Sequence, residues 1–180
     1  MPTTSPRGNR YILTIVDDYS RFCIVMLLKQ KSDVAGALRD CFTMLENQFE
    51  RRVKILWTDN GKEYVNQDVK DYCREKGIRR QLTIAHTPEQ NGVAERRNRY
   101  LTEMSKCMLL DAGLHDKLWA EAVRTAAYLH NRLPSRAVKK TPYEMWYGRK
   151  PNIELLRIFG SKFYTHISKN ICRKWDDKAN

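Results

Sequence analysis

The order in which hydrophobic patterning changes along this chain restricts its fold more than any other feature. Arg10–Val16 (RYILTIV) and Phe22–Lys29 (FCIVMLLK) are rich in β-branched and aromatic residues and flank a stretch with turn chemistry, Asp17-Asp18-Tyr19-Ser20-Arg21. They predict a hairpin. Spacing then becomes helical: Val34, Leu38, Cys41, Phe42, Leu45 and Phe49 recur on one helix face, behind Ser32 or Asp33 as the cap. Val53–Trp57 predicts a short strand running into Thr58-Asp59-Asn60-Gly61. Asn66 opens a helix to Lys76, with Val69, Tyr72 and Cys73 facing inward and Gly77 as its stop. Ile78–Ile84 reads as extended, in part a strand, and His86–Asn91, holding Pro88, as a loop.

From Gly92 onward the pattern is helical. One long helix is expected to about Leu110, and another from Lys117 to Arg132 with Trp119, Ala122, Ala126 and Leu129 on its buried stripe. Thr141-Pro142-Tyr143-Glu144 is a capping box with proline at the first helical position, and Gly148 closes that short helix. Phe163–Ile167 is expected as a last strand and Arg173–Asn180 as a frayed end. Strands first, then alternation, then helices predict an α/β domain around a mixed sheet.

Charge and cysteine usage narrow the class. The 180 residues suit one domain, and a formal charge of +12 points to a polyanion partner. The excess is uneven: residues 1–90 carry 15 basic and 12 acidic side chains, residues 91–180 carry 18 and 9. Nucleic acid is the expected partner. The longest apolar run, Ile24–Leu28, is far too short to span a membrane. Pro2, Pro6, Arg7 and Arg10 interrupt the opening before any signal-like stretch, so none is expected. Cys23, Cys41, Cys73, Cys107 and Cys172 form no CxxC pair, which suits a reducing nuclear or cytoplasmic compartment. The four histidines are scattered and predict no zinc site. No phosphate-cradling or nucleophile-elbow motif is present, so no small-molecule cofactor is expected.

Two carboxylates stand out. Asp59 ends a short strand, where Asp-Asn-Gly is also ordinary turn sequence. Glu95 opens the Gly92 helix, where an acid also complements the helix dipole. At 100° per residue, Glu95 falls on the face of Arg99, Thr102 and Lys106, opposite Val93, Leu101, Met104 and Met108. Arg97 falls nearer the buried stripe. A carboxylate heading a cationic stripe suits a divalent ion with phosphates tracked alongside, and a solvated helix face gives the same pattern.

The flanks add more. Asp59 and Glu95 have 35 residues between them and lie within WTDNGKEY and TPEQNGVAERRNR. That interval resembles the spacing between the second and third acidic residues of the integrase catalytic core of copia-type retrotransposons. ILTIVDDYSR, CREKGI, LWAEAVRTAAYLHNRLP, TPYEMWYG and Phe159-Gly160 are similar to successive stretches of the same polyproteins, in the same order. The resemblance implies an RNase H-like fold, a five-stranded mixed sheet flanked by helices. Residues 1–112 would be the core, and 113–180 a helical extension with a short terminal strand.

By that resemblance the activity would be metal-dependent DNA end processing and strand transfer, with two Mg²⁺ or Mn²⁺ ions clamping an in-line displacement. Asp59 and Glu95 would be the catalytic metal ligands. Gln90 and Asn91 would lie in a mobile loop at the DNA, with Arg96, Arg99 and Lys106 along it, and the protein would form a homo-oligomer. The chain departs from the family's pattern at its start. The family's first catalytic aspartate lies on an earlier strand, whereas MPTTSPRGNR before Tyr11 has no acidic residue. The expectation is a chain starting about one strand too late, with impaired catalysis and an exposed edge on Arg10–Val16. Asp17 and Asp18 belong to the family's separate DDYSR stretch. Two alternatives stay open: a non-catalytic nucleic-acid-binding module, or an RNase H-like nuclease drawing a third ligand from Asp17, Asp18 or Glu63.

Overall fold

A computed structural model describes residues 3–83, 88–134 and 139–163, and the side chains of residues 88–91 are likewise outside the description. The expected hairpin forms. Strand β1 (Tyr11–Val16) pairs antiparallel with β2 (Cys23–Leu28), Tyr11 opposite Leu28 and Val16 opposite Cys23. Its turn is built by Asp17, whose Oδ2 accepts from the Ser20 N–H and hydroxyl, both at 2.7 Å. Arg21 takes the left-handed conformation that closes it (φ 62°).

Helix α1 (Val34–Phe49) buries Val34, Leu38, Cys41 and Phe42 as its spacing predicts. Its expected side-chain cap is absent. Asp33 instead closes a capping box with Gln30 around a single 3₁₀ turn, accepting the Gln30 N–H at 2.9 Å. Strand β3 (Ile55–Thr58) pairs in parallel with β4 (Arg79–Leu82), and α2 (Gln67–Lys76) crosses between them. Asn66 caps α2 through the Val69 N–H (2.8 Å), and Gly77 ends it at φ 67°. Both are as read from the sequence.

Helix α3 (Pro88–Asp111) differs from expectation at its start, because Pro88–Asn91 are helical rather than loop. Proline supplies the φ a helix needs and has no N–H to leave unsatisfied, so it opens this helix where the segment reads as a loop. Helix α4 (Trp119–Arg132) follows a 3₁₀ turn, and α5 (Pro142–Tyr147) has the predicted capping box. The expected strand at Phe163–Ile167 lies beyond the described residues from 164 onward.

Among the described residues the four strands form two separate two-stranded sheets, not one continuous five-stranded sheet. They share a core in which Leu13, Leu28, Leu38, Phe42, Val69 and Tyr72 are buried, with Leu56 and Tyr64 packed alongside. The outer face of the hairpin is covered by α3 and α4: Trp119, Val123 and Leu109 meet Ile12, Val25 and Leu27. Asn131 at the end of α4 fixes this packing, because its carboxamide accepts the Cys23 N–H (2.9 Å) and donates to the Cys23 carbonyl (2.8 Å). One side chain thus plays the part of a strand partner on the edge of β2. Cys23, Cys41 and Cys73 are free and buried, and Cys107 is free and exposed.

Candidate functional site

Asp59 stands where β3 ends. Its side chain is exposed, and Oδ1 accepts the Gly61 N–H at 3.0 Å. The turn is tied to the end of β4 by Asn60, whose Nδ2 donates to the Thr83 carbonyl (3.1 Å). Glu63, expected to be a neighbouring polar contact, returns to the same place. A Cβ on Gly61 would lie 2.9 Å from Asp59 Oδ1 and 3.0 Å from Glu63 Oε2, so the two carboxylates crowd a point that only glycine leaves open. Glu63 Oε1 accepts from Lys31 Nζ at 3.2 Å. Its own backbone N–H, and then Lys31, hold its carboxyl below the usual range. Burial pushes the neighbouring Tyr64 phenol up to about 12, and the Asp59 and Glu63 charges add to it. Lys31, Glu63 and Tyr64, with Tyr11, Leu13 and Val34, line a cleft of about 190 Å³ beside β1.

Glu95 is exposed on α3, as its register predicts. Arg99 and Lys106 share its exposed side, and Leu101 is buried opposite. The earlier start of α3 moves Glu95 beyond the first turn, where complementing the helix dipole no longer accounts for it. Arg96 is exposed and its Nε donates to the Gly92 carbonyl (2.8 Å); the Thr102 hydroxyl donates to the Asn98 carbonyl (2.8 Å). The backbone of Gln90 and Asn91 is helical rather than looped, and their side chains lie outside the described residues.

Asp59 and Glu63 offer the hard oxygen donors that Mg²⁺ or Mn²⁺ prefers. Among the described residues, however, no three acidic, histidine or cysteine side chains converge to hold an ion. This donor set does not make a two-ion clamp. Asp17 Oδ2 is engaged in its own turn, and Asp18 is exposed and paired with Arg21.

Sequence reasoning missed a buried polar pair behind the stripe. Arg97, half-buried, places Nη1 2.7 Å from His130 Nδ1 on α4. A guanidinium only donates, so Nδ1 must accept and His130 is neutral, its proton on Nε2. Burial first, and the Arg97 charge second, pull the His130 pKa down to about 4. The signal was present in Arg97's angular position near the apolar stripe; its partner was not legible.

This geometry has relatives. The family profile described as "Integrase core domain" matches residues 1–88. The chain is 38% identical over 180 residues to the Pol polyprotein of transposon TNT 1-94 of Nicotiana tabacum, and 34% identical to that of transposon RE2 of Arabidopsis thaliana. The chain belongs to the integrase core family. It spans 99% of its own length in these alignments but only 14% and 12% of the two polyproteins. The HTLV-2 integrase catalytic core domain in complex with magnesium superposes with a TM-score of 0.56 at 19% identity, covering 74% of this chain and 82% of that one. The simian T-cell lymphotropic virus intasome gives 0.61 at 22% identity, covering 88% of this chain and 58% of the other. The integrase core's RNase H-like α/β fold is therefore the fold of this chain.

Proposed function

We propose that this integrase core is a nucleic-acid-binding protein of the DNA-integration lineage that holds duplex DNA along α3 and does not by itself catalyse strand transfer. One observation carries the second half: the described residues bring two carboxylates to Gly61 but no third acidic, histidine or cysteine ligand. Asp59 and Glu63, or Asp59 and Glu95, would then bind a divalent ion only weakly. The unjoined sheets support the same reading. The outer edge of β1 has no strand partner among the described residues, beside the cleft at Lys31, Glu63 and Tyr64.

Binding would rest on Arg96, Arg99 and Lys106, cations on the exposed side of one helix. Each phosphate they neutralise releases a counterion and contributes about 0.9 to the slope of log affinity against log salt. The test is duplex DNA binding by fluorescence anisotropy across a salt series. The expected result is affinity that falls steeply with salt, with the slope reduced by two or more in Arg96→Gln/Arg99→Gln/Lys106→Gln and unchanged in Asp59→Asn. Salt-independent binding would refute the reading. A homo-oligomer on DNA is part of the proposal, and light scattering of the complex checks it.

A nuclease reading rests on the placement of Glu63 beside Asp59. Metal-dependent nicking that survives Glu95→Gln but not Glu63→Gln would select it.

A further inference from the structure

The TPYEMWYG motif becomes α5, and the carboxylate chemistry above makes no use of it. Its packing against the end of α4 builds a ladder of flat groups. The Arg132 guanidinium lies between two rings, its Cζ 3.3 Å from the centroid of Tyr128 and 4.9 Å from that of Tyr143. Tyr143 meets Tyr147 at 4.6 Å, and Tyr147 leans on Phe22 and Phe49, both at 5.7 Å. Two of its rings are partly exposed: Tyr128 is 44% exposed and Tyr147 41%.

The segment that carries these tyrosines is rich in cations. Between Arg124 and Lys150 the sequence holds seven lysines and arginines and one acid, Glu144. Glu144 is committed to the cap, with Oε2 accepting from the Thr141 N–H (3.0 Å) and hydroxyl (2.8 Å). Arg124, Lys139, Lys140, Arg149 and Lys150 are exposed, and none makes an ion pair among the described residues.

We infer that this surface binds single-stranded nucleic acid, its bases stacking on Tyr128 and Tyr147 and its phosphates following the flanking cations. The charge selects a polyanion, and the partly exposed rings select one whose bases are unpaired. A duplex hides its base faces and gains only the charge term. The inference is independent of Asp59 and Glu95 and of the duplex contacts assigned to α3.

The experiment measures anisotropy of the full chain with labelled oligo-dT of about fifteen nucleotides, with a duplex of equal length, and with poly-glutamate as competitor. Stacking is worth on the order of 1–3 kcal/mol per base, so Tyr128→Ala/Tyr147→Ala is expected to weaken oligo-dT binding about tenfold or more and leave the duplex unaffected. Tyr128→Phe/Tyr147→Phe, which keeps both rings, is expected to bind as the parent does. Tyr128→Ala alone, at the end of the ladder, gives part of the loss without touching the Tyr147 packing. Equal binding of oligo-dT by parent and alanine variants overturns the inference. So do equal losses on single strand and duplex, or displacement of oligo-dT by poly-glutamate at matched charge, which would mark an acidic-peptide surface.

Discussion

Arg97 and His130 show how much one residue's chemistry decides. Because His130 is held neutral with a pKa of about 4 while an unfolded histidine titrates near 6.5, the unfolded chain takes up a proton first as pH falls. The stabilisation is fully present above about 6.5 and is lost as pH drops toward 4. Urea unfolding between those limits is expected to show a midpoint falling with pH, by a loss of about 1–3 kcal/mol. His130→Gln, which keeps an acceptor for Arg97 but does not titrate, should flatten the curve. An unchanged pH slope in that variant would refute the assignment. Asn131 carries a second single-residue prediction. Asn131→Leu strands the Cys23 N–H and carbonyl at once, and the expected cost is roughly 2–4 kcal/mol by the same measurement. Neither partner was legible, because groups separated by 33 and 108 positions meet only after the helices pack.

At the scale of elements, the last described segment is locked by a glycine. Gly160 sits at φ 82°, and a Cβ there would meet the Ala112 Cβ at the end of α3 at 2.5 Å. Gly160→Ala therefore combines backbone strain with a clash and is expected to cost about 1–3 kcal/mol in thermal or urea unfolding. A neutral result would mean that the segment does not lean on α3. Trp146 locks α5 in a similar way, stacked on Phe22 at 5.1 Å and edge-on to Phe49 at 5.3 Å. Trp146→Ala should cost roughly 2–4 kcal/mol, read in the same experiment. Elements with local signals were legible in the sequence: the Asn66 cap and Gly77 stop of α2, the capping box of α5, the apolar stripe of α1. The start of α3 was not, because a proline amid turn-forming residues reads equally as an end or a beginning. Glu95 and its cationic stripe followed from helical periodicity alone, whereas the meeting of Asp59 and Glu63 at Gly61 depends on a turn that periodicity does not describe.

At the scale of the molecule, the pairing of strands was the least legible property. The hairpin is local and was read correctly, but a continuous sheet depends on non-local edges. Parallel strands are normally covered on both faces, yet Ile55, Trp57 and Leu82 of the β3–β4 pair are 45%, 56% and 43% exposed. Such surface, with the edge of β1 that has no strand partner among the described residues, is the kind on which chains associate. Placing a charge at Trp57 (Trp57→Lys) is expected to reduce concentration-dependent light scattering without lowering the unfolding midpoint; unchanged scattering would contradict that role. The same divided sheet stands behind the central proposal, that this integrase core has the fold without an assembled set of catalytic ligands among its described residues. Strand transfer measures it most directly, using the purified chain, a transposon-end duplex, a target duplex and either Mg²⁺ or Mn²⁺. The account predicts product no greater than that of the Asp59→Asn variant. Metal-dependent joined product that disappears in Asp59→Asn would contradict it.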